Sequence, residues 1–375
     1  MTRLLTIFIA IALSGILKSQ YSEATYQQAL SDIYQNPDNS QKMAQQMLKD
    51  EKNPDHLIKL YKLMSHSYIS KREFDKSLDW ILKMKALSKN VTNPEQKVKI
   101  LNATAIQYQQ MGLNSKTLEI LDESHQICSE LPDGKFKIYY LGLNSALRGL
   151  VYKSQDNNEL ALEKLLTGLD YLKKVGSYDN AVANSSVFLY NIGYCYFYLK
   201  RYQEAERYFL ESAEVAKSAG AESLEAFAYK GLSENYTVLG KHQDATALLK
   251  KSVNLSRKVG DLVLSEGIYK GFADNYLALQ DWNNYEVYNK LYTETKFARE
   301  QSELASLNKS IDVLNAENNK KIGEQNRSLA FILIVIIGVC SIIFIVFLIQ
   351  FLKQKKRNHV LTEKLNHINK ITPGA

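Results

Sequence analysis

The sequence predicts an all-α protein: a solenoid of about six to seven helical hairpins, a long stalk helix and one transmembrane helix. Three observations carry that prediction. A tyrosine recurs at Tyr68, Tyr108, Tyr152, Tyr196, Tyr236 and Tyr276, at steps of 40, 44, 44, 40 and 40 residues. Each is embedded in a stripe of apolar and small residues at helical spacing. Gly and Pro are scarce, 17 and 5 in 375 residues, which suits long helices better than a sheet with many turns. A fixed period of this size means stacked supersecondary units, because one unit cannot bury its own apolar face.

The chain opens with Met1-Thr2-Arg3, an apolar stretch from Leu4 to Leu17, and Lys18-Ser19-Gln20. One positive charge, an apolar run and a small residue at Ser19 predict a signal peptide over 1–19, with an uncleaved anchor helix as the alternative.

The solenoid is expected over 20–293. Leu189-x-x-Ile192-Gly193-x-x-Tyr196 shows the pattern of a first helix, and Ala205 and Phe209 follow at the spacing of a second. Gly193 falls where the antiparallel partner must come close, as do Ser65, Ala105, Gly149, Ser233 and Ala273 in the other units. Ala161/Leu165, Ala245/Leu249 and Ser77/Ile81 repeat the small and bulky pair of the second helix. A weaker unit with Ala44 and Leu48 caps the start. In the unit of Tyr152, Ser145 and Arg148 stand where apolar anchors are expected; in that of Tyr276, Tyr285 and Asn289 replace the small and bulky pair.

This pattern resembles the tetratricopeptide repeat, W-x-x-L-G-x-x-Y followed by A-x-x-x-F. The resemblance covers close to three quarters of the chain. The usual period is about 34 residues, so either each helix gains about a turn or the loops lengthen. In that family the first helices line a concave groove. Carried over position by position, the groove receives Lys62 and His66, Asn102 and Gln109, Tyr190 and Tyr194, Lys230 and Glu234, and Lys270 and Asp274. Family members that grip a C-terminal carboxylate use a Lys and an Asn, with another Asn one repeat on. Here Lys62 is followed by His66 and Ala103, and Lys230 by Glu234 and Gly271, so that clamp is absent. Aromatics with mixed charges suit a peptide or protein segment; the alternative is that Lys230/Glu234 and Lys270/Asp274 are i, i+4 pairs on a solvated face.

Beyond the repeats, Phe297, Leu304, Leu307, Ile311, Leu314 and Asn318 fall at a and d spacing. This predicts either a parallel homodimeric coiled coil over 297–318 within a stalk at 294–327, or one amphipathic helix packed on the end of the solenoid. The transmembrane helix is expected at 328–352, since Leu329 to Ile349 holds no charged residue and about 20 apolar residues cross a bilayer. The tail 353–375 carries Lys353, Lys355, Lys356, Arg357, Lys364 and Lys370 against Glu363, a net of +5 of the chain's +7. Basic clusters stay on the cytoplasmic side. The expected location is therefore the cell (inner) membrane, single-pass, with the solenoid outside the cytoplasm and the tail inside. With only +2 left for the rest, no direct nucleic-acid binding is expected.

Cys128, Cys195 and Cys340 form no C-x-x-C, and the histidines show no ligand spacing on a common face. Without H-E-x-x-H, G-x-S-x-G or a phosphate-cradling loop, no enzyme activity, cofactor or metal is expected. The order of parts resembles bacterial membrane-bound regulators that end in a helix-turn-helix or histidine-kinase module, but no such module fits before Ala375. Two functions follow: a membrane-anchored extracytoplasmic scaffold that holds a peptide or protein in the groove, or a truncated or split signal receptor that relays binding through the stalk and membrane helix to a cytoplasmic transcription-factor or kinase partner.

Overall fold

The computed structural model describes residues 21–88 and 91–371, so the expected signal segment 1–19 lies outside the described residues. Fourteen helices and no strands occur among them. They are α1 (Glu23–Asp32), α2 (Pro37–Leu48), α3 (Pro54–Ser70), α4 (Phe74–Ser88), α5 (Pro94–Gln110), α6 (Asn114–Glu130) and α7 (Lys135–Ser154), then α8 (Asn158–Val175), α9 (Ala181–Tyr198), α10 (Tyr202–Ser218), α11 (Glu222–Val238), α12 (His242–Ser256), α13 (Leu262–Ala278) and α14 (Trp282–Ile371). The chain divides into two compact units, one ending at Ser310 and the other beginning at Ile311.

In the first unit the helices pair as seven consecutive hairpins. The six landmark tyrosines each sit two residues before the end of a first helix, and each helix stops by the same device. The tyrosine carbonyl accepts the N–H five residues on: from Glu73 at 3.0 Å, Leu113 at 2.9 Å, Asn157 at 3.0 Å, and Arg201, Lys241 and Asp281 at 2.9 Å. The residue just before that donor is left-handed: Arg72, Gly112, Asp156, Lys200, Gly240 and Gln280, with φ between 58° and 73°. This is the Schellman stop, which satisfies carbonyls that the ending helix orphans. Only two of the six are glycine, so four units tolerate a left-handed side chain at about 1–2 kcal/mol each. Several first helices begin on an Asn or Asp cap. Asn53 accepts from Asp55 N and Asn93 from Glu95 N, both at 2.9 Å, and each is followed by Pro at the first helical position.

With the turn invariant, the long period resides in the helices: α3, α5, α11 and α13 have 17 residues each, and α7 has 20. The register of the Tyr152 unit is the predicted one. A Cβ on Gly149 would lie 2.8 Å from Leu165 Cγ and 3.0 Å from the Ala161 carbonyl. Ser145 bonds the Lys164 carbonyl at 2.9 Å, and Arg148 reaches Asp122 at 2.6 Å, so both serve the helix seams without being apolar. In the Tyr276 unit, Tyr288 stacks on Phe272 at 4.3 Å between ring centroids and takes the bulky role.

A second crossing point was not read from the sequence. Ser186 and Ser212 exchange hydroxyl and carbonyl bonds at 2.9–3.1 Å, Ser252 bonds the Ala226 carbonyl at 2.8 Å, and Gly168 lies against Ala146 and the Gly142 carbonyl. Each pair joins the N-terminal part of a first helix to the C-terminal part of its partner. Small residues there let the hairpin close at both ends.

The second unit is the remainder of α14. Every large apolar side chain from Leu329 to Leu352 is exposed. By length and composition this helix could cross a membrane.

Candidate partner-binding groove

The sequence-predicted residues separate into five places. Tyr190 and Tyr194 of α9 meet Lys230 and Glu234 of α11. Lys230 Nζ donates to the Tyr194 hydroxyl at 2.9 Å, that hydroxyl donates to Glu234 Oε2 at 2.9 Å, and Lys230 pairs with Glu234 Oε1 at 2.7 Å. Tyr190 lies edge-on to Tyr194, with centroids 5.4 Å apart, and tilts over Phe227 of α11 at 5.7 Å. Burial pushes the Tyr194 hydroxyl well above its ordinary range, and the Glu234 charge adds to it. Burial alone would lower the Lys230 ammonium, but Tyr194 and Glu234 around it raise it well above normal. The two groups therefore stay protonated, as donors in a fixed network.

Sequence reasoning missed the third helix of this cluster. Lys153 of α7 donates to Asn191 Oδ1 at 2.5 Å and lies 5.6 Å and 5.2 Å from the ring centroids of Tyr190 and Tyr194. No carboxylate among the described residues forms an ion pair with it, in contrast to Lys230. Its position at the last turn of α7, one residue after Tyr152, is the signal that could have found it.

Lys62 and His66 of α3 lie elsewhere. Lys62 Nζ reaches Asp179 Oδ2, in the α8–α9 loop, at 3.4 Å across 117 residues. Burial works against both charges. The Asp179 charge nonetheless raises the Lys62 ammonium, and Lys62 holds the Asp179 carboxyl below its usual range. His66 Nε2 is buried without a hydrogen-bond partner. Its burial, and then the neighbouring Lys62 charge, push its pKa down to about 3. Tyr26 and Tyr34, near this charge pair, come from the N-terminal hairpin. That hairpin also reaches the α10–α11 loop, where Ser223 N donates to the Tyr34 carbonyl at 3.0 Å and Gln35 Nε2 to the Gly220 carbonyl at 2.5 Å.

The other positions depart from the expectation. Asn102 is 2 % exposed; its amide turns back to the Val98 carbonyl at 3.0 Å and across to Ser124 at 2.6 Å. It sits in the α5–α6 seam, with its amide nitrogen bonded there and its Oδ1 buried without a partner. Gln109 is half-buried and accepts from Gln110 at 2.8 Å. Lys270 and Asp274 form a 2.6 Å pair with side chains 56 % and 47 % exposed, the i, i+4 pair on a solvated face. Cys128 and Cys195 are buried, and burial raises both thiols to about 11, which makes them inert packing residues.

Residues 184–258, which hold the best-formed part of this cluster, match the profile of the tetratricopeptide repeat family. No curated protein matches the chain. Among solved structures, a Rap protein complexed with competence and sporulation factor superposes with a TM-score of 0.53 at 13% identity, covering 80% of this chain and 93% of that one. PH0952 from Pyrococcus horikoshii, a signal transduction ATPase with numerous domains and a tetratricopeptide repeat sensor, gives 0.50 at 17%, covering 75% of this chain and 48% of that one. The chain carries a tetratricopeptide-repeat solenoid, which is the fold the tyrosine period predicts.

Proposed function

We propose that the protein is a membrane-anchored, extracytoplasmic scaffold whose concave face binds a peptide or protein partner. The observation that carries this reading is the Lys153–Asn191–Tyr190–Tyr194–Lys230–Glu234 cluster, drawn from three successive first helices. Tyr190 and Lys153, half-buried over the buried Tyr194 ring and its Lys230–Glu234 network, are suited to an extended or helical segment. A structural neighbour of the same fold holds a bound factor. Binding rather than catalysis is favoured because Tyr194 and Lys230 are both pushed away from the deprotonated forms that a nucleophile or base would need.

The membrane part of the proposal rests on the charge-free stretch Leu329 to Ile349 and on Lys353, Lys355, Lys356 and Arg357 behind it, a pattern that favours a cytoplasmic tail by the positive-inside rule. A receptor is the second reading. It is favoured by the continuity of α14, whose first part packs on the solenoid and whose last part is the apolar segment. In that reading a parallel homodimer through 297–318 would set two such helices side by side.

Affinity capture from cross-linked cell membranes tests the groove, comparing the wild type with Lys153→Glu and Lys270→Glu. The account expects specific partners lost with Lys153→Glu and kept with Lys270→Glu. Equal recovery with all three would reject the cluster as the contact surface.

A further inference from the structure

We infer that the edge formed by the α3–α4 and α5–α6 turns is a docking surface for the chain's own α14, closed by a latch between Arg72 and Asp261. Arg72 belongs to the α3–α4 turn. Its Nε lies 3.1 Å and 3.3 Å from the two carboxylate oxygens of Asp261, 189 residues on. Its Nη1 donates to Gln110 at 2.8 Å, and its guanidinium carbon lies 5.9 Å from the ring centroids of both Phe74 and Phe227. Asp261 is the N-cap of α13, accepting from Val263 N at 2.9 Å and Leu264 N at 3.0 Å. The latch thus joins the first full repeat to the sixth.

The same edge receives α14. Lys309 Nζ donates to the Asp75 carbonyl and pairs with Asp79, both at 2.8 Å. Ser302 reaches the Arg72 carbonyl at 3.5 Å, and Ser310 reaches Met111 Sδ at 3.7 Å. Ser302, Ser306 and Ser310 repeat every four residues and form the docked face.

The seam is built to open. In the hairpins, apolar side chains interdigitate; here the contact is made by hydroxyls and ion pairs. Leu304 and Leu307 instead line a cavity of about 580 Å³ with Phe74 and Met111, leaving them 54 % and 40 % exposed. A permanent interface packs to the density of a protein interior; here Ser306 and Ser310 are buried, but a cavity remains beside Leu304 and Leu307. Polar contacts of this kind exchange readily for water at little net change in free energy. Spreading the repeats breaks Arg72–Asp261 and removes the Arg72 carbonyl from Ser302 in one movement, so repeat spacing and α14 docking become one two-state element.

The test is spin-label distance measurement in the full-length protein in nanodiscs, with labels at the exposed positions Ala86→Cys of α4 and Asn308→Cys of α14, which leave the Lys309–Asp79 pair intact, and the native cysteines replaced by Ala. Asp261→Asn keeps a side-chain oxygen for the N-cap and removes the charge that holds Arg72. The account expects one short distance in the parent. In Asp261→Asn, and equally in Arg72→Ala, it expects a second, longer population, with the open-to-closed ratio raised about tenfold, the factor that one charge-assisted hydrogen bond supplies. If Asp261→Asn leaves the distribution single and short with the helical signal unchanged, there is no latch. A long distance already dominant in the parent would also overturn the proposal. No partner is needed, so the result is independent of the groove reading.

Discussion

Acidification should destabilise the solenoid through one residue. The folded protein keeps His66 neutral, because burial and Lys62 bring its pKa to about 3 from an ordinary value of 6.5. Protonation therefore favours the unfolded chain. The contribution is intact above pH 6.5 and is progressively lost as pH falls from 6.5 towards 3, where the unfolded imidazole takes a proton that the folded one refuses. At pH 5, roughly 1.5 units into that window, the loss is about 2 kcal/mol at 1.36 kcal/mol per unit. The carboxylates held below their usual range, Glu23, Glu51, Asp179 and Glu204, stay charged across pH 7 to 5 and lose their contribution only at lower pH. Thermal unfolding of the full chain in detergent, followed by Trp80 and Trp282 fluorescence, should show the wild type losing about 4–8 °C in Tm between pH 7 and pH 5. His66→Leu should lose that much less over the same interval. Parallel pH profiles for the two proteins would refute the reasoning.

Three further outcomes follow from the packing. Gly193→Ala would place a Cβ 2.8 Å from the Phe209 ring, which Gly231 of the next repeat holds from the other side, so overpacking should lower stability by about 1–3 kcal/mol, read as a lower Tm. Lys200→Gly relieves a left-handed side chain at φ 60° and should raise stability by roughly 1 kcal/mol with partner capture unchanged. Leu307→Cys lies on the exposed apolar stripe of α14 and should form an intermolecular disulfide in oxidised membranes if the parallel homodimer exists; a monomer only would remove that part of the proposal.

The hairpins were legible because their determinants are local. A tyrosine, a small residue three before it and a small and bulky pair after the turn fix each unit, and the Schellman stop holds that register even in the Tyr152 unit, where two anchors are polar. The closing contacts were not legible. Arg72 to Asp261 and Lys62 to Asp179 depend on a rotation accumulated over several repeats, and no local spacing records it. The groove was half legible for a related reason. The same first-helix position holds Tyr190, whose long side chain reaches the shared face, and Asn102, whose short side chain bonds Ser124 within its own hairpin. Position gave the face, while side-chain length decided who arrives there. Lys153 lies one residue after its tyrosine, as Gln109 does in its own unit, so its place was legible in the sequence.

Site-specific photocross-linking in living cells tests the central claim most directly, with a benzophenone amino acid at Tyr190 in the proposed groove and, as reference, at Leu210 of α10, which is 42 % exposed. The account predicts discrete adducts from position 190 that disappear with Lys153→Glu, and none from position 210. Adducts of the same size from both positions, indifferent to Lys153, would contradict it.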